Sequence, residues 1–200
     1  MDTTTFQNKI DEHLREHSGL DQKRDYLGIS AIGKCPRQVV REYLHGKSEI
    51  TQRDHQMCYG GYLFEADLRN RLGDMGFQVE KAGFEVVAPF DPRLRGHIDG
   101  EIFGADLLEC KSLKRSKFEN VKQTHMPLNE HFAQVQLYMK YGPWKTCWIV
   151  YVERESLEHH VVKVPYLHTQ AIKYEYKAQR MLAHIDSGIL PACECRWCKD

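Results

Sequence analysis

The stretch RGHIDGEIFGADLLECK, at positions 95–111, constrains this chain more than any other segment. Its first half alternates, with Ile98 and Ile102 on one face and His97, Asp99 and Glu101 on the other, the period of a half-buried strand. Gly104 marks a tight turn, and LLECK (107–111) reads as a second short strand. An odd-length turn centred on Gly104 sets Asp99 opposite Glu109, where cross-strand Cβ atoms stand about 5 Å apart. Two carboxylates that close repel, and one is pushed toward protonation. A divalent cation between them removes the conflict, and hard oxygen ligands suit Mg²⁺ or Mn²⁺. Lys111, two residues past Glu109, shares its face of the strand. Beside a metal, a lysine can orient and activate a water or steady charge on a phosphate. The spacing D-x(9)-E-x-K alone is weak, since chance produces it in many proteins.

The flanking segments read as helix before and as helix and strand after. Ser30 is expected to cap a helix carrying Ile32, Cys35, Val39 and Tyr43 on one face. Asp54 is expected to cap the next, which runs to Gly76 with Leu68, Leu72 and Met75 at helical spacing. Glu65 falls on that same stripe. A carboxylate there is costly unless it is paired or holds a metal, so a buried salt bridge and a ligand role are both open. Positions 84–88 are β-like, and Pro89, Asp91 and Pro92 punctuate a turn. A helix is expected over about 129–141, with Leu128, Phe132, Val135 and Met139 on its stripe and Gly142-Pro143 as its stop. Two β-branched runs follow at 147–152 and 160–164, then a helix over about 169–185 ending at Gly188. This order predicts an α/β fold, a central mixed β-sheet flanked by helices.

With 200 residues and neither an internal repeat nor a Gly/Ser linker, one domain is expected. Its divisions are a helical extension at 1–28, a core at 29–190 and a cysteine-rich end at 191–200. No stretch approaches the roughly 18 apolar residues a membrane span requires. The N-terminus lacks the apolar segment of a secretory signal, so a cytoplasmic protein with no membrane partner is expected. Twenty-eight basic side chains balance 28 acidic ones, which excludes a globally basic nucleic-acid coat but leaves a local groove open. Lys114, Arg115 and Lys117 crowd behind Lys111 and are the candidate nucleic-acid contacts, or else a solvated loop.

Taken together, GGYLFE (60–65), GHIDG (96–100), ECK (109–111) and QVQLY (134–138) resemble the PD-(D/E)XK nuclease superfamily, and within it the RecB-like exonucleases. ISAIGKCPRQ (29–38) is similar to the entry segment of those families. The resemblance implies a restriction-endonuclease-like core and metal-dependent hydrolysis of DNA phosphodiesters, with single-stranded ends as substrate. It implies that Glu65, Asp99, Glu109 and the backbone carbonyl of Cys110 hold the metal. Lys111 would be the catalytic lysine, and Gln134 and Tyr138 would support the site or contact the DNA backbone. Glu65 stands where many relatives carry histidine. His97 is expected to support Asp99. A structure-specific endonuclease and a non-catalytic DNA-binding subunit are the alternatives.

Seven cysteines in a reducing compartment argue against a disulfide framework. Cys58, Cys110 and Cys147 sit singly in apolar stretches and read as core thiols. Cys193, Cys195 and Cys198 crowd at the end, with Cys35 far upstream. This layout is similar to the clasp of the CRISPR-associated iron–sulfur exonuclease family and of AddB-type helicase–nuclease subunits. It implies a [4Fe–4S] cluster on those four residues, a structural Cys₄ zinc site being the rival. Recombination or CRISPR-adaptation proteins would then be the partners.

Overall fold

The computed structural model describes residues 2–20, 24–47 and 50–195. Helix α1 (Thr3–Ser18), capped by Asp2, packs against the long α3 (Gln52–Asp74). Between them lie the two-residue strand β1 (Leu27–Gly28), a short 3₁₀ turn (Ile29–Ala31) and α2 (Pro36–His45). Strands β2 (Glu85–Val87), β3 (Leu94–His97), β4 (Gly100–Ile102) and β5 (Asp106–Leu113) follow. Helices α4 (Arg115–Thr124) and α5 (Asn129–Tyr141) then lead to β6 (Thr146–Glu153), β7 (His159–Pro165) and α6 (His168–Ser187). No helix of the described residues is long and apolar enough to cross a membrane.

The strands form two ladders. One has the order β1-β3-β2, with β1 parallel to β3; the other is β4-β5-β6-β7, with β5 parallel to β6 and the remaining pairs antiparallel. The alternating segment at 95–102 is therefore not one strand. It breaks between His97 and Gly100, so that its two halves serve different ladders and Asp99 sits in the break. Ile98 consequently belongs to the main core, while Ile102 joins a smaller core under α3.

β5 is apolar on both faces because both are covered. Leu107 and Leu113 meet the main core with Phe118, Leu137, Tyr151 and Met181. Leu108 packs with Leu68 and Leu72 of α3 and Val150 of β6. Met75, the third apolar residue of the expected α3 stripe, caps the helix and is exposed instead.

The caps differ from expectation in detail. Thr51, not Asp54, is the N-cap of α3; Asp54 is the N3 residue of a reciprocal capping box, its side chain accepting from Thr51 N at 2.9 Å. Ser30 lies in the 3₁₀ turn, and Cys35 occupies the α2 N-cap position with Pro36 starting the helix. Residues 115–124, open as a solvated loop, form α4 and bury Phe118 and Val121. α5 spans the expected residues, and α6 ends at Gly188, whose φ of 67° glycine adopts without strain.

Candidate active site

The β4–β5 turn holds three residues between the paired Ile102 and Asp106, centred on Gly104, and Gly100 pairs with Leu108. Continuing that register by one step brings Asp99 beside Glu109. The backbone has left the ladder there, and Asp99 Oδ2 accepts a hydrogen bond from Cys110 N at 2.6 Å. The carboxylate is thereby fixed to the strand that carries Glu109 and Lys111.

Glu109 is fully buried. Its Oε1 contacts Lys111 Nζ and accepts from Gln134 Nε2 at 2.8 Å. Its Oε2 is buried with no hydrogen-bond partner. A carboxylate oxygen in that condition is costly, because nothing replaces the water it has lost. Gln134 Nε2 also reaches Tyr138 Oη at 3.4 Å, and Tyr138 donates to the backbone carbonyl of His97 at 2.7 Å. The i, i+4 pair on α5 thus secures both Glu109 and the chain break before Asp99. Gly96 makes room for this crossing, since a Cβ there would stand 2.7 Å from Tyr138 Oη. His97 contributes only its carbonyl; its ring is exposed and faces Glu85 at 3.7 Å, not Asp99.

Glu65 lies one turn before Leu68, half-buried and in contact with Arg69. Burial and the nearby Asp99 raise its pKa, while Arg69 and Lys111 oppose them. Burial, then Asp99 and more weakly Glu65, push Glu109 up to about 8 against the pull of Lys111. Burial works to lower the Lys111 ammonium, but Glu109 and Asp99 overcome it and hold the group above its usual range. Three carboxylates thus crowd around two cations, Lys111 and Arg69, and lack positive charge. An all-oxygen donor set with one orphaned buried oxygen fits a hard divalent cation. Burial and Glu109 also raise Tyr138, which stays a phenol able to donate.

The three expected nucleic-acid contacts stand at the start of α4. Lys114 holds the N-cap position of α4, Arg115 lies where its charge acts on Glu153, and Lys117 Nζ reaches Glu130 Oε1 at 3.2 Å. Tyr62 is exposed, whereas Phe118 is fully buried. His131 has no role in the sequence-based expectation, yet it stands three residues before Gln134 on the α5 stripe that carries Gln134 and Tyr138. That spacing was the available signal.

At the N-terminal end of α2, the Sγ atoms of Cys35, Cys193 and Cys195 all lie within 4.8 Å of one another. Cys198 lies outside the described residues. Arg37 donates to the Pro191 carbonyl at 3.2 Å, and Lys177 pairs with Glu194 at 3.7 Å, so the tail is seated beside α2 and α6. Thiols this close, without a disulfide, suit a thiolate-bound metal or cluster. Cys147 is buried as expected of a core thiol, while Cys58 and Cys110 are partly buried.

No family model and no curated protein matches the sequence. Solved structures do match. The exonuclease LHK-Exo in complex with dAMP superposes with a TM-score of 0.66 at 17% identity, over 83% of this chain and 90% of that one. A second LHK-Exo structure, described as an alkaline exonuclease from Laribacter hongkongensis, gives 0.63 at 17% identity over the same shares. A phage-related exonuclease from Haemophilus somnus 129PT gives 0.54 at 11% identity, over 81% of this chain and 94% of that one. At these identities the likeness shows the fold: α/β, with mixed sheets flanked by helices, as in these exonucleases.

Proposed function

We propose that this chain is a metal-dependent deoxyribonuclease that hydrolyses DNA from its ends, with single-stranded ends as the substrate. The observation that carries the reading is Glu109, fully buried, with one oxygen orphaned and Asp99, Glu65 and Lys111 gathered around it. Among the similar structures is an exonuclease holding dAMP, which supports a nucleic-acid substrate here.

Glu65, Asp99 and Glu109, with the carbonyl of Cys110, would hold Mg²⁺ or Mn²⁺. When bound, such an ion lowers the pKa of a coordinated water and neutralises phosphate charge. Lys111, kept protonated by its carboxylate neighbours, supplies a fixed positive charge for the oxygens of the reacting phosphate. Gln134 holds Glu109 in one rotamer, and Tyr138 holds the backbone that presents Asp99. Lys114, Arg115 and Lys117 would take the DNA backbone. Cys35, Cys193, Cys195 and Cys198 would bind a structural [4Fe–4S] cluster, or zinc in its place. Repair, recombination or CRISPR adaptation in the cytoplasm would be the setting.

The reading is tested with linear and circular single-stranded DNA in Mg²⁺, Mn²⁺ or EDTA. Metal-dependent loss of the linear form alone is expected. Nicking of the circle would show an endonuclease, and binding without cleavage in either metal would show a non-catalytic subunit.

A further inference from the structure

Lys117 donates to a carboxylate oxygen at the start of α5, and the His131 ring stands near the same oxygen. Glu130 Oε1 lies 3.2 Å from Lys117 Nζ and 3.9 Å from His131 Nε2. The two side chains come from different elements, α4 and α5, and differ in exposure: 51% for the Lys117 side chain and 12% for His131. The Glu130 backbone is seated against Gly33, so tightly that a Cβ on that glycine would stand 2.3 Å from Glu130 Cα.

The His131 ring is oriented from behind. Its Nδ1 stands 3.1 Å from Tyr151 Oη, and that oxygen accepts from Leu128 N at 3.3 Å. In the tautomer whose Nδ1 accepts from the Tyr151 hydroxyl, the ring proton sits on Nε2, on the side of Glu130. Burial, and the positive charges of Lys111, Lys117 and Lys34, hold His131 down to about 3, so the ring is neutral. Tyr151 is the register partner of Lys111 across β5 and β6, which places this arrangement next to the site described above.

A lysine ammonium bonded to this oxygen and an imidazole beside it, among further lysines, are side chains of the kind that meet nucleic-acid backbones. We propose that Lys117 and His131 form a subsite for a backbone phosphate of the nucleic-acid substrate, and that Glu130 occupies it as an internal anion until substrate displaces it. This rests on the nuclease reading and adds to it a competing anion next to the catalytic cluster. Substrate binding then involves exchange of a carboxylate for a phosphate, with Glu130 swinging to solvent.

The test is fluorescence polarisation of a labelled single-stranded oligonucleotide in EDTA, so that binding is read without cleavage, over a range of salt. Glu130→Gln is expected to tighten binding at least threefold, because the internal competitor loses its charge. Lys117→Ala is expected to weaken binding and to make the salt slope shallower by about 0.7, the value for one phosphate contact on a single strand. His131→Leu is expected to weaken binding with the slope unchanged, since a neutral donor displaces no counterion. His131→Gln, which keeps an N–H donor, should recover part of the loss. Thermal unfolding accompanies each variant; where His131→Leu does not fold, the Glu130 and Lys117 variants decide. Affinity and slope unchanged in both of those, with the wild type binding normally, would overturn the subsite and leave the nuclease reading standing. Failure of the wild type to bind any oligonucleotide, both in EDTA and with Ca²⁺ in its place, would overturn both.

Discussion

Glu109→Gln should make the metal-free protein more stable, although it removes a group at the centre of the site. The Glu109 carboxyl, ordinarily near 4.5, is pushed up to about 8 by burial and by Asp99. A raised acid pKa means the folded state tolerates the charge less well than the unfolded chain. The resulting cost is absent below the ordinary pKa, grows as pH rises, and levels off once pH passes the folded value. Each pKa unit corresponds to about 1.4 kcal/mol, so a shift in this direction amounts to a few kcal/mol at pH 8. Glutamine still accepts one of the two donors that Glu109 Oε1 receives, from Gln134 and Lys111. The pull of Lys111 is already part of the raised value, so the net gain is set at a few kcal/mol, a rise in Tm of several degrees for a chain of this size.

The assay is thermal unfolding in EDTA near pH 8 and near pH 5, then with Mn²⁺ added. The variant should melt above wild type at the higher pH and level with it at the lower. Added metal should stabilise the wild type by mass action and the variant far less. A variant that melts below wild type in EDTA at pH 8 would refute the reasoning. Glu109 would then be a structural partner of Lys111 and not a carboxylate held in readiness for a cation.

Three further outcomes follow from the same geometry. Lys111→Met should lower the cleavage rate by at least about 100-fold, the scale for losing one preorganised charge at a reacting centre, while calorimetry shows Mn²⁺ still binding. Gly96→Ala should cost about 1 to 3 kcal/mol by driving a Cβ against Tyr138 Oη. Combining it with Tyr138→Phe should cost less than the sum of the two singles, measured by denaturant unfolding. Cys35→Ala should abolish iron or zinc in elemental analysis of the purified protein and expose the tail beyond Pro191 to limited proteolysis. Retained stoichiometric metal would remove the clasp.

Where local chemistry decides structure, the sequence was legible. The odd turn around Gly104, the stripe and stop of α5, and Gly188 at the end of α6 all follow from spacing and backbone preference. The break at Asp99 was not legible, because its cause is a tertiary contact: the Tyr138 hydroxyl takes the His97 carbonyl from 41 residues away. Alternation through 95–102 cannot report that its two halves join different ladders. Thr51 and Asp54 both suit a helix start, and only the reciprocal bonds show which is the cap. In the candidate site, strand periods grouped Asp99, Glu109 and Lys111 and the helical period paired Gln134 with Tyr138, while only the family resemblance implied that the two sets share one site. The burial of Glu109, and the proximity of Lys117, Glu130 and His131, depend on how α4 and α5 lie over β5 and β6 and have no local signature.

The central claim is that Asp99, Glu109 and Lys111 together hydrolyse DNA with a divalent cation. It is tested most directly by following nucleotide release from end-labelled single-stranded DNA in Mn²⁺, wild type against Asp99→Asn. Progressive shortening by the wild type, stopped by EDTA and lost in a variant that remains folded, is the predicted result. Equal shortening by wild type and variant would contradict the account and place the chemistry elsewhere in the chain.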